Sequence, residues 1–256
     1  MVKPKKHLGQ HFLRNDEVSE RISNSLTFHH GYSTIVEIGP GTGALTKHLL
    51  AIADKEIHVV EIDRESVDYL TVHFPALRGR IHAEDFLRAD PDAWVKGPFG
   101  LAGNFPYNIS SQILFRMLEF RDRIPELVGM FQKEVALRVT GKPGNRDYGI
   151  LSVFVQAYYH AEYLFTVDEH EFFPPPKVKS GVIRLVRNDV KQLPCDEKLF
   201  HTLVKTGYNQ RRKMLSNSLK SLIPPGVELP GLNRRPEELG VQDWVELANA
   251  IRPVDL

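Results

Sequence analysis

The β-branched run Thr34-Ile35-Val36-Glu37-Ile38 passes directly into Gly39-Pro40-Gly41-Thr42-Gly43 and then into ALTKHLLAIA, which has helical spacing. A strand that turns through three glycines into a helix opens a βα unit. The same alternation continues to about residue 132. Strands are expected at 57–62, near 80–83, at 99–103 and at 127–132, and helices at 64–74 and 109–119. Strands separated by helices pair in parallel, so the expectation is an α/β fold around a parallel sheet. Residues 161–167 and 180–187 read as two late strands flanking FFPPPKVKS, a proline-rich turn too stiff for helix. They are expected to close the sheet as an antiparallel pair.

After Arg187 the composition changes. NDVKQLPCD reads as a linker, and three helical patterns follow, around Leu199 to Val204, Met214 to Leu222 and Trp244 to Ile251. The expected division is therefore an α/β domain at 1–188 and a small all-α domain at 189–256. With 42% apolar and 25% charged residues the chain is of ordinary globular composition. No run approaches the ~18 apolar residues of a membrane span, and the N-terminus lacks the apolar stretch of a secretory signal. A cytoplasmic location without membrane attachment is expected. The single Cys195 offers neither a disulfide nor a thiolate metal site. His7 and His11 are four residues apart but lack a third ligand cluster, so no metal is expected.

The net charge of +1 hides an uneven distribution. Residues 1–15 carry four cations and no acid, and residues 205–220 carry five and no acid. The other 225 residues hold 24 cations against 32 acids, a net −8. Clustered cations on an acidic body suit a polyanion held at particular places. Arg211, Arg212 and Lys213 are consecutive, read as helical, and have no acid nearby in sequence; they are the candidate contacts to nucleic-acid phosphates.

The glycine motif places backbone close to a ligand, because no Cβ intervenes at Gly39 or Gly41. Its spacing is G-x-G-x-G, whereas a dinucleotide fingerprint needs G-x-G-x-x-G. Glu37 just before it would repel a pyrophosphate but suits a ligand carrying an ammonium and a sulfonium, as S-adenosylmethionine does. Glu61, in VVEID, stands where an acid accepts hydrogen bonds from both ribose hydroxyls. Asp63 alternates onto the same face and the sequence leaves the choice open, although an N-cap before RESVDYL suffices to explain Asp63. Asp85 follows a strand and suits either an adenine amino group or a surface turn.

Asn104-Phe105-Pro106-Tyr107 follows the fourth expected strand at the edge where open α/β sheets bind ligands. An exocyclic amine on a base is a poor nucleophile because its lone pair is delocalised. Acceptors for its N–H groups, such as Asn104 Oδ1 and the Pro106 carbonyl, make that lone pair more available, and Tyr107 offers a face for an unstacked base.

Taken with KKHLGQHFL, EIGPGTGALT, AEDF, NFPYNIS, FQKEVALR, YGILSVFVQ, FFPPPKVKSG and NQRRKMLSNSL, the chain resembles the ribosomal RNA adenine N6-dimethyltransferases, most closely the bacterial small-subunit enzymes. The resemblance implies a Rossmann-like methyltransferase domain with a helical C-terminal domain. It also implies transfer of two methyl groups from S-adenosyl-L-methionine to N6 of each of two adjacent adenosines near the 3′ end of small-subunit RNA. The acceptor would be a partly assembled subunit and the enzyme a monomer. Cofactor contacts are implied for His11, Leu13, Gly39, Gly41, Glu61, Asp85 and Asn104, with Phe173 joining Tyr107 around the target base. Two departures stand out: His11 replaces the usual Asn, and Phe105 replaces the usual Leu or Ile, which is expected to change pocket volume. A large-subunit RNA methyltransferase, a non-catalytic assembly factor and a nicotinamide dehydrogenase are the competing readings.

Overall fold

A computed structural model of the chain describes residues 2–224 and 229–252. The strands are β1 (Phe12–Leu13), β2 (Thr34–Ile38), β3 (Glu56–Val60), β4 (Ile81–His82), β5 (Phe99–Asn104), β6 (Glu126–Gln132), β7 (Tyr159–Val167), β8 (Phe172–Phe173) and β9 (Ser180–Arg187). The helices are α1 (Asp16–Asn24), α2 (Thr46–Leu50), α3 (Arg64–His73), α4 (Ser110–Glu119), α5 (Lys133–Thr140), α6 (Ile150–Gln156), α7 (Glu197–Asn209), α8 (Leu215–Ser218) and α9 (Val241–Ile251).

Seven strands form one sheet in the order β4-β3-β2-β5-β6-β9-β7. The pairs from β4 through β6 are parallel and β9 runs antiparallel to β6. All five residues of β2 are buried, as are the first five of β5, which is why these runs read as continuous apolar stretches. Chain order reverses between β2 and β5. Such a switch point leaves a crevice beyond the carboxyl ends of the two strands. A separate two-stranded sheet pairs β1 with β8, Phe12 against Phe173 and Leu13 against Phe172. Neither of these short strands shows a period in the sequence.

The chain divides into two units: residues up to Ala136 with Ala161–Arg187, and Leu137–His160 with the residues from Asn188 onward. The expected cut at 188/189 falls within a residue of the third crossing but leaves residues 137–160 on the other side. Helix α6 groups with the C-terminal helices because its apolar face packs there: Phe154 lies 6.3 Å from Phe200, and the Tyr158 hydroxyl donates to Glu197 at 2.8 Å. The expected helix through Met214 to Leu222 is also shorter, only Leu215–Ser218. Arg211, Arg212 and Lys213 are not helical; they form the turn between α7 and α8, where the Lys213 N–H donates to the Gln210 carbonyl at 2.8 Å.

Candidate active site

The crevice between β2 and β5 opens into a cavity whose wall includes His11, Leu13, Gly39, Gly41, Glu61, Asp85, Asn104, Pro106 and Tyr107. Nine positions spread over 97 residues of sequence thus meet in one place. Gly39 leaves β2 with φ +67° and Gly41 follows with φ +56°. At Gly41 a Cβ would stand 2.8 Å from the Phe12 ring, so the loop needs glycine for both its backbone and the closeness of β1.

The acids divide by role. Glu61, one residue beyond β3, is buried and lines the cavity; one carboxylate oxygen accepts the Gly41 N–H at 3.1 Å and the other the Asp63 N–H at 2.8 Å. Burial raises its pKa, partly offset by those two backbone donors. Asp63 is the N-cap of α3, accepting from the Glu65 N–H at 3.3 Å. Burial acts to raise the Asp63 pKa, but the Lys5 ammonium, Gln10 and Ser66 more than offset it and hold the carboxyl below its usual range. Geometry therefore assigns the cavity to Glu61 and the helix start to Asp63. Asp85 serves its turn, accepting the Leu87 N–H at 3.0 Å, while also lining the cavity. Glu37 is buried against the same cavity and accepts the Thr46 hydroxyl at 2.6 Å.

At the end of β5 the Asn104 Nδ2 donates to the His11 carbonyl at 2.9 Å. A carbonyl only accepts, so the amide is fixed with Nδ2 toward His11, and Oδ1 is the atom left for a ligand. The Pro106 carbonyl already accepts the Ile109 N–H at 3.2 Å, which occupies one of its two lone pairs. Tyr107 shares a short hydrogen bond with the buried Ser180 hydroxyl, and burial raises its pKa despite that partner. Its ring lies 5.4 Å from that of His11. Phe173 is not on the cavity wall; it is 55% exposed, paired with Phe12 in the small sheet.

The profile of the ribosomal RNA adenine dimethylases matches residues 1–249. The chain belongs to that family. The ribosomal RNA small subunit methyltransferase A of Cytophaga hutchinsonii is 52% identical over 252 residues, covering 98% of each chain. Its counterpart from Parabacteroides distasonis is 54% identical over 250 residues, 96% of this chain and 93% of the relative. Among solved structures, a dimethyladenosine transferase from Plasmodium falciparum shares the fold with a TM-score of 0.78 at 23% identity, over 93% of this chain and 96% of that one. The 23S rRNA methyltransferase ErmE gives 0.66 at 26% identity, over 94% and 99%.

Within this dimethylase, the two departures from the usual motifs have different consequences. The Phe105 ring belongs to the cavity lining and is packed into the sheet behind it. It is 1% exposed, lies 4.8 Å from Phe131 and sits where a Cβ at Gly103 or Gly129 would collide with it. His11 keeps the backbone carbonyl that holds Asn104 and adds an imidazole at the cavity.

Sequence reasoning missed the latch that brings the N-terminal segment over the site. Lys5 and Gln10 both bond Asp63, Gln10 at 3.2 Å, and the Arg14 N–H donates to the Glu171 carbonyl at 2.8 Å. It also missed Ile62, 58% exposed on the cavity wall. Its signal is an apolar residue at the position between Glu61 and Asp63 that alternation turns the other way. Arg211, Arg212 and Lys213 belong to the other unit. Arg211 is not free of acids: its guanidinium is 3.8 Å from Glu237 and also bonds the Arg146 carbonyl. Glu237 lies 26 residues downstream, beyond the reach of a local charge count.

Proposed function

We propose that the cavity binds S-adenosyl-L-methionine and presents it to N6 of two adjacent adenosines near the 3′ end of small-subunit ribosomal RNA. Each becomes N6,N6-dimethyladenosine during subunit maturation. The cavity suits a cationic nucleoside. Among the described residues its wall carries four carboxyl groups and no Lys or Arg, and its glycine loop brings backbone to the ligand. Each Glu61 oxygen accepts one backbone N–H and retains a lone pair for a ribose hydroxyl. Asp85 is suited to the adenine amino group, with Ile62 offering an apolar face to the ring. When bound, the cofactor supplies an electrophilic methyl group on a sulfonium that departs as a neutral thioether.

The observation that carries the reading is the fixed orientation of Asn104. Its Oδ1 accepts one N–H of the target amine, with the Pro106 carbonyl's remaining lone pair as second acceptor, and this makes the amine lone pair available. Tyr107 holds the base flat, joined by Phe173 from the edge of the small sheet. No strong base is needed before the bond forms, so positioning carries the catalysis. The monomethyl product still has one N–H to offer Asn104 and is bound again for the second transfer. The C-terminal unit supplies Arg212 and Lys213 to RNA phosphates. The enzyme acts as a cytoplasmic monomer on a partly assembled subunit. Identity above 50% to small-subunit relatives over nearly the whole of both chains favours that RNA over the large-subunit substrate of ErmE.

Mass spectrometry of ribosomal RNA after incubating the purified protein and cofactor with unmethylated small subunits tests this. The expected outcome is two adjacent dimethyladenosines per small-subunit RNA. Products that stop at monomethyladenosine, or methyl groups only on large-subunit RNA, would overturn it.

A further inference from the structure

Methyl transfer leaves the target nitrogen with a proton to lose, and the site contains one side chain suited to take it. His11 Nδ1 lies 2.7 Å from the Pro174 carbonyl oxygen. A carbonyl cannot donate, so Nδ1 carries the hydrogen in this contact and Nε2 is the basic nitrogen of the neutral ring. Nε2 has no hydrogen-bond partner among the described residues. The ring lines the cavity at 5.4 Å and 31° from the Tyr107 ring, and the same residue's carbonyl holds Asn104. Both ends of the arrangement are pinned, because Phe12 pairs with Phe173 one residue along from the His11 and Pro174 contact.

We propose that His11 Nε2 accepts the proton released by the target adenine N6 in each methyl transfer. This rests on the reading that N6 lies at Asn104. The N6–carbon bond forms as the carbon–sulfur bond breaks, with the electron pair of that bond remaining on sulfur. N6 is then a cationic amine, and one of its protons passes to Nε2, giving an imidazolium with a hydrogen on each nitrogen. The imidazolium returns its proton to water before the next turnover. An imidazole already protonated cannot accept, and its charge opposes a second cation beside it. The titratable groups that share the cavity wall with the ring are the Tyr107 phenol from the loop after β5 and the Glu37, Glu61, Glu84 and Asp85 carboxyls. The Phe172–Pro174 segment brings none. The usual Asn at this position could hold a substrate but could not take up a proton.

Two measurements decide the matter. Single-turnover methylation of unmethylated small subunits is followed against pH for the unmutated protein, H11N and N104A, and the His11 ring is observed by 15N NMR in the unmutated protein alone. The unmutated rate is expected to fall tenfold per pH unit on an acid limb that H11N lacks, and the NMR spectrum to show Nδ1 protonated and Nε2 bare above that limb. A limb shared by H11N, no limb in the unmutated protein, or a hydrogen on Nε2 above the limb overturns the proposal. The NMR result holds even where H11N fails to fold. Failure of the underlying reading has a different mark: N104A would then keep the unmutated rate at every pH, whereas failure of His11 alone leaves N104A slow throughout.

Discussion

Three buried or half-buried side chains at the site make separable contributions, each open to a single substitution. Replacing Glu61 with Ala removes charge-assisted hydrogen bonds to a ribose and is expected to weaken cofactor binding by about 1–3 kcal/mol in calorimetry. Unchanged affinity would reject the ribose assignment. Replacing Asn104 with Ala is expected to lower turnover at saturating substrate, since it removes the acceptor from the reacting amine; undiminished turnover would reject that role. Glu37 is set apart by its proton. Burial pushes its carboxyl up to about 8, with the Thr46 hydroxyl pulling it down and the charge of Glu61 adding to the rise. At pH 7 the folded, ligand-free protein therefore holds a proton that the unfolded chain, with an ordinary carboxyl near 4.5, has lost. Because the native state binds more protons between those values, the Glu37 contribution to stability is full below about 4.5 and is lost as pH rises through about 8. A cationic ligand favours the ionised carboxylate, so cofactor binding at pH 7 is expected to release a proton. Thermal unfolding across this range and calorimetry in two buffers of different ionisation enthalpy should show both effects, and E37Q should lack both.

At the scale of elements, the loop after β5 is shaped from beneath. Gly129 on β6 and Gly103 on β5 pair in register and leave the space that the Phe105 ring fills. A Cβ on Gly129 would meet that ring at 2.2 Å and the Gly103 carbonyl at 2.6 Å. G129A is thus an overpacking change, expected to cost about 1–3 kcal/mol in urea unfolding. It should also lower turnover, because the displaced ring carries Asn104 and Tyr107 with it. In a double-mutant cycle, F105L is expected to recover part of the G129A loss, as residues in direct contact couple. Additive losses would show that the clash is relieved elsewhere.

The charge pattern belongs to the molecule as a whole, since its meaning depends on which cations the fold has already engaged. Arg211 is held by Glu237 and the Arg146 carbonyl, whereas Arg212 and Lys213 are exposed and in no ion pair among the described residues. The double substitution R212Q/K213Q is therefore expected to flatten the slope of log K for RNA against log salt by about 1.4–1.8, the loss of two phosphate contacts, with cofactor affinity unchanged. R211Q should act mainly on thermal stability. A salt slope that moves with Arg211 and not with the pair after it would reverse this assignment.

What the sequence by itself determined is local in its physics. Apolar runs and helical spacings marked β2 through β6 and the helices between them, the glycines marked the turn at the switch point, and an N-cap was enough to explain Asp63 while the choice between it and Glu61 stayed open. These follow from steric and hydrogen-bonding rules that act over a few residues. The tertiary structure decided what depends on partners far along the chain. It set the pairing of β1 with β8 and the contact of His11 with Pro174, 163 residues apart. It also decided which way the Asn104 amide faces, where the Phe105 ring goes, and which unit holds residues 137–160. Strands of two residues carry no period to read, and an amide takes its orientation from an acceptor that only folding brings beside it.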